Sequence, residues 1–220
     1  MITEAYCDFF EELEDNNHKA WFHANKGRYE NDVKQPFLQI VAKILPTLTT
    51  WEPRILDDPK KALFRINRDI RFSKDKSPYH TIMKAGFSPG GKKSELPGFY
   101  LGIDAKKVHV GGGLFMLDTT TLQKIRNTIA ADPKALESIV ESAEFIQNFG
   151  LLKGEKSKRM DKTLMLQAQK TPLIFNKQYY AMAEFPLAPF YGSEGLVDEV
   201  KSYFETIKPL NQYLNKILAS

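Results

Sequence analysis

The chain has 220 residues, 42% hydrophobic, 26% charged and 12% aromatic, a globular mixture long enough to bury roughly 70% of its unfolded surface. A formal net charge of +4 permits an anionic partner without demanding one. The lone cysteine, Cys7, makes no internal disulfide, no run approaches the ~18 apolar residues that span a bilayer, and the acidic N-terminus lacks a leader's basic and apolar regions; the expectation is a soluble cytoplasmic protein.

Residues 3–14 carry Tyr6, Phe9, Phe10 and Leu13 at helical spacing, with Thr3 placed to cap. A second helix is predicted from His18, broken at Pro36 and resuming through Phe37, Ile40, Val41, Ile44 and Leu45. Its Trp21, Phe22 and Tyr29, interleaved with Lys19, Lys26 and Arg28, read as inward-packed aromatics rather than a base-stacking surface. Residues 46–59 read as loop.

The period then changes to two. Phe64, Ile66, Ile70 and Phe72 share one parity and Arg65, Asn67, Asp69 and Arg71 the other, which predicts a strand with Arg68 on its apolar side. Residues 73–78 read as a turn and 82–87 as another strand. Phe99, Leu101 and Ile103, answered across DAKK by Val108 and Val110, predict a hairpin that runs into Gly111, Gly112 and Gly113. Asp118 or Thr119 caps a helix bearing Leu122, Ile125 and Ile129, and Asp132-Pro133 opens another that carries apolar residues through Ile146. Residues 153–162, KGEKSKRMDK, read as a solvated basic loop. A late strand over 179–185 precedes a terminal helix with its stripe from Leu196 to Ile217, kinked or restarted at Pro209. Helices at both ends with adjacent strands between them predict a single α+β domain over 1–220, its mainly antiparallel sheet flanked by the N- and C-terminal helices.

The charge is concentrated. Between Phe64 and Lys84 stand six basic residues and two acids, and that difference of four equals the net charge of the whole chain. Arginines spaced by three present forks of donors suited to carboxylate or phosphate. The candidate ligand-binding residues are therefore Arg65, Arg68, Arg71, Lys74, Lys76 and Tyr79, with the backbone of Gly111, Gly112 and Gly113 offering an anion nest. Asp69, Asp75 and Trp21 support them. Three functions fit: a phosphorylated or carboxylated small molecule as ligand, a nucleic-acid surface extended by Lys92 and Lys93, or a scaffold whose arginines pair internally.

Other motifs carry less. Gly86-Phe87-Ser88-Pro89-Gly90 matches a nucleophile elbow, but the residues after Gly90 do not predict the required helix. Gly86 to Lys92 nearly spells a phosphate-binding loop, with Lys93 where Ser or Thr must hold magnesium. The histidines His18, His23, His80 and His109 lack metal-ligand spacing, and His109 reads as structural. No catalytic residue, metal or cofactor is assigned.

The segments NNHKAWFHANKGRYEND and FRINRDIRFSKDKSPYHT, the strand ending in GGG, the helix with Ile125-Arg126 and the terminal KPLNQYLNKIL together resemble the family catalogued as domain of unknown function 2461. The resemblance covers nearly the whole chain, with RFSKDKSPY its most specific element; residues 153–165 depart from the pattern. It implies a soluble, single-domain, mostly bacterial family without an assigned activity, so no catalytic residue is carried over. Matching motif positions are Asn17, Trp21, Phe22, Arg65, Arg68, Asp69, Arg71, Phe72, Asp75, Lys76, Pro78 and Tyr79.

Overall fold

The computed structural model describes residues 1–219. In chain order, α1 (Glu4–Asp15), α2 (Lys19–Ala24) and α3 (Lys26–Arg28) lead through a π-helical turn, Tyr29–Lys34, into α4 (Gln35–Trp51), with α5 (Pro59–Ala62) after it. Strands β1 (Ile82–Phe87), β2 (Gly98–Asp104) and β3 (Lys107–Leu114) precede α6 (Thr119–Ala131), α7 (Pro133–Val140), α8 (Ala143–Phe149) and α9 (Lys162–Lys170). β4 (Tyr179–Pro186) and α10 (Gly195–Ala219) close the chain. The strands form one antiparallel sheet in the order β1-β2-β3-β4, so the fold class is α+β. Among the described residues no helix is long and apolar enough to cross a membrane.

By contact the chain divides into two compact units. The first holds residues 1–93, 100–110 and 184–201, the second residues 94–99, 111–183 and 202–220.

In the first unit, α1 buries Tyr6, Phe9, Phe10 and Leu13, and the Tyr6 hydroxyl donates to the Ile103 carbonyl at 2.8 Å. His18 caps α2 by accepting from the Trp21 N–H. The expected break at Pro36 takes a specific form. Gln35 N–H reaches back five residues to the Glu30 carbonyl, and this widened turn brings the chain to Pro36, which cannot donate, at the start of α4. Residues 46–51 correct the predicted loop: α4 continues through Pro46 to Trp51. Leu45 and Leu48 stay on its buried face, and the Pro46 carbonyl accepts the Thr49 and Thr50 hydroxyls at 3.1 and 2.9 Å. Packing here overrides propensity. In the β2–β3 turn Asp104 Oδ1 accepts the Lys106 and Lys107 N–H groups, both at 2.7 Å. Asp104 Oδ2 lies 2.7 Å from His109 Nε2, giving that histidine its structural role.

In the second unit Asp118 caps α6, accepting from Thr121 N–H at 2.8 Å. The helix expected from Pro133 is two helices, α7 and α8. Ser142 caps the second, so Phe145 and Phe149 turn inward while Ile146 is exposed. The basic tract is also more ordered than a solvated loop: Lys153 pairs with Tyr180 and Lys156 with Asn176. Helix α9 follows the tract, over residues for which the sequence predicted no element. The terminal helix continues through Pro209 without a restart, and in this unit its Phe204, Ile207, Leu210 and Leu214 are buried.

Candidate functional site

The basic segment belongs to the first unit, and it is not the regular strand its parity suggests. Isolated pairings hold it to the chain at and before β1: Leu63 with Ala85, with Phe64 N–H donating to the Lys84 carbonyl at 2.8 Å, and Asn67 with Tyr79. Arg68 N–H donates to the Pro78 carbonyl at 2.9 Å, and His80 N–H to the Ile66 carbonyl at 2.8 Å. Beyond Arg68 the alternation fails: Phe72 is 95% exposed instead of joining an apolar face. Asn17 fastens the returning arm, with its Nδ2 donating to the Tyr79 carbonyl and its Oδ1 accepting the Tyr79 N–H, both at 3.0 Å.

The pairing is uneven. From Leu63 to Asn67 the chain advances four residues, whereas from Tyr79 to Ala85 it advances six. Two extra residues on one side make a bulge, which contracts that arm and re-aims its side chains. His80 and Lys84 would stand about 13 Å apart in regular extended chain. Here the Lys84 ammonium lies 3.2 Å from His80 Nδ1 and 3.3 Å from Nε2.

The electrostatics follow from this crowding. Burial, then the Lys84 and Arg68 charges, push the His80 imidazole down to about 4. Burial and Arg68 also lower the Lys84 ammonium. Among the described residues neither group has a carboxylate partner. Arg68, its side chain 23% exposed, pairs with Asp75. Asp75 in turn accepts the Ser77 N–H at 2.9 Å and hydroxyl at 2.7 Å, which with Arg68 hold it well below the usual carboxylate range.

The other sequence-derived residues of the segment differ in exposure and in partner. Arg71 is exposed and pairs with Asp69 at 2.7 Å. Arg65 and Lys74 are exposed, and the Arg65 charge helps keep Asp69 ionised. Lys76 Nζ donates to the Ile70 carbonyl at 3.0 Å. Tyr79 is buried, its ring stacked on Phe22 at 4.0 Å, while the supporting Trp21 packs on Phe9 at 5.5 Å. Lys92 turns to the Leu63 carbonyl and Lys93 is exposed. The contact between His80 and Lys84 was not legible in the sequence, because four-residue spacing in an extended stretch carries no proximity signal.

Gly111, Gly112 and Gly113 lie within β3 and the second unit. A Cβ on Gly111 would meet the Ala181 carbonyl oxygen at 2.2 Å, and one on Gly112 the Gly98 carbonyl oxygen at 2.5 Å. The run thus permits close backbone approach along the sheet. Ser88 borders a shallow depression with Lys61, Lys92 and the apolar Ile55, Leu56 and Phe87. A turn, not a helix, follows Gly90, so the strand–turn–helix of a nucleophile elbow is missing.

These features define an α+β protein organised around a basic segment paired to the edge of its sheet. The chain belongs to the DUF2461 family: the family model, described as a conserved hypothetical protein, matches residues 5–213. No curated protein matches the chain.

Proposed function

We propose that the protein binds a phosphorylated or carboxylated small molecule at the basic segment, with Arg68, His80 and Lys84 as the contact group. The observation that carries this reading is the packing of Lys84 against His80, under the Arg68 charge, with one carboxylate nearby. Like charges held together favour any anion that joins them. Arg65, Lys74 and Arg71 are exposed on the same segment, and their charge raises the local anion concentration. Lys76 and Lys92 are turned to backbone carbonyls, which favours a compact ligand over the extended contacts of a nucleic acid. The scaffold reading draws on the pairing of Arg71 with Asp69 and of Arg68 with Asp75, but an exposed pair like the first contributes about 0–1 kcal/mol, and neither pair supplies a carboxylate to Lys84.

Calorimetric titration tests the proposal with inorganic phosphate, sugar phosphates, nucleotides and dicarboxylates. One of these should bind, and Lys84→Gln and Arg68→Gln should each weaken it about 10- to 100-fold, the worth of a charge-assisted hydrogen bond. At a hundredfold excess over Kd the ligand should raise Tm by about 5–10 °C. Unchanged affinity in both variants refutes the site. Binding of duplex DNA that weakens steeply with salt would replace it with the nucleic-acid reading.

A further inference from the structure

The second unit contains a separate cationic centre. Arg126 falls on the buried face of α6, between Ile125 and Ile129, and is 6% exposed. Its Nη2 donates to the Ser157 hydroxyl at 2.5 Å and to the Asn176 carbonyl at 3.1 Å. Asn176 is 0% exposed, and its Oδ1 accepts from Lys156 Nζ. The positions are fixed by backbone pairing: Lys156 bridges to Asn176, and Ser157 N–H donates to the Phe175 carbonyl at 2.7 Å.

Two features of this centre are unresolved by the protein itself. Among the described residues no carboxylate pairs with Arg126 or Lys156, although a buried guanidinium without a counter-charge is costly. Arg126 Nε and Asn176 Nδ2 are also sealed from solvent without a hydrogen-bond partner. Both orphaned groups are donors, Lys156 has further ammonium protons, and the Ser157 hydroxyl can donate. Carbonyl dipoles soften the charge but do not cancel it, and a water would satisfy donors without supplying any negative charge. What completes the site is an acceptor that is itself negative.

We propose that Arg126, Lys156, Ser157 and Asn176 form a second anion site, for a small oxyanion of the phosphate or sulfate type. Four donors from three stretches of chain suit a compact group with oxygens on several sides. Entry is from the side of Lys156, which is exposed, as are Lys158 and Arg159 beside it. The basic tract then has a purpose: it supplies one wall of the site. The proposal does not depend on the Arg68 group.

The test uses the full chain carrying Lys84→Gln, at phosphate concentrations too low to fill the weakened first site. Inorganic phosphate should raise Tm in this background against chloride at equal ionic strength, and adding Lys156→Gln should weaken binding at least about tenfold. Arg126→Met should abolish the phosphate effect while leaving Tm in phosphate-free buffer unchanged or higher, because the uncompensated charge is gone. No phosphate effect in the Lys84→Gln protein overturns the proposal, as does an effect that Lys156→Gln leaves undiminished. A large loss of Tm for Arg126→Met without phosphate also overturns it, since the carbonyls would then suffice for the arginine.

Discussion

Replacing Gly113 with alanine separates two uses of the glycine run, as room for a neighbouring backbone or as a nest for a ligand. Gly113 has φ +109°, and a Cβ there would stand 2.3 Å from the Tyr179 carbonyl oxygen and 2.6 Å from the Tyr180 Cα. Cβ atoms in real chains essentially never approach closer than 3.0 Å, so the two backbones must part by about 0.7 Å at this point. Forcing extra volume into packed structure costs about 1–3 kcal/mol. The unfavourable dihedral adds about 1–3 kcal/mol, and the stiffer unfolded chain returns about 0.4–1 kcal/mol. The net is a loss of about 3 kcal/mol, a large part of the roughly 5–15 kcal/mol that holds a domain folded.

Scanning calorimetry measures it. At about 2–4 °C per kcal/mol for a chain of this size, Gly113→Ala should lower Tm by about 6–12 °C. Gly27→Ala, where nothing lies within 4 Å of the added Cβ, is the control and should gain about 0.5–1 kcal/mol. A Gly113→Ala protein melting within about 2 °C of the parent refutes the packing argument. If that protein also lost phosphate binding, the glycine would belong to a ligand site instead.

His80 gives the protein a pH dependence of defined sign. Its folded value near 4 lies below the ordinary 6.5, so the unfolded chain binds more protons between them, and stability is full above pH ~6.5 and falls as pH drops toward 4. Denaturation midpoints between pH 5 and 7 should show this slope in the parent and lose it in His80→Gln, and a slope that persists in the variant contradicts the assignment. Asn17→Ala removes both hydrogen bonds to Tyr79 and should cost about 1–3 kcal/mol in urea unfolding. A cost below about 0.5 kcal/mol would mean that the returning arm is held without it.

Legibility in this sequence follows the range of the interactions involved. The β2–β3 hairpin is readable because alternation and its turn lie within a dozen residues, and the cap at Asp118 because its partner is three residues away. Pro46 misleads because the signal against helix is local while the burial of Leu45 and Leu48 that overrides it is tertiary. The run from Pro133 to Phe149 misleads differently. Ser142 starts a new helix with a shifted face, and a single stripe drawn across the join selects Ile146 in place of Phe145 and Phe149.

The same distinction governs both charged centres. Composition and spacing locate the positive charge between Phe64 and Lys84, since charge is a property of residues. They do not locate Lys84 against His80, since that contact is made by two extra residues in the pairing of two chain segments. Of the three arginines that stand out in the sequence, Arg65 and Arg71 are exposed, while Arg68, which parity assigned to the apolar side, has constrained surroundings, as does Arg126 inside an apolar helix face. A cation is conspicuous in sequence when its neighbours are charged too, which is typical of a solvated surface. Its functional weight grows when its neighbours are apolar and it lacks a carboxylate, because desolvation then makes an incoming anion favourable. In this chain that apolar, carboxylate-free context belongs to Arg126, between Ile125 and Ile129, whereas Arg68 has the apolar parity but keeps Asp75 as its partner.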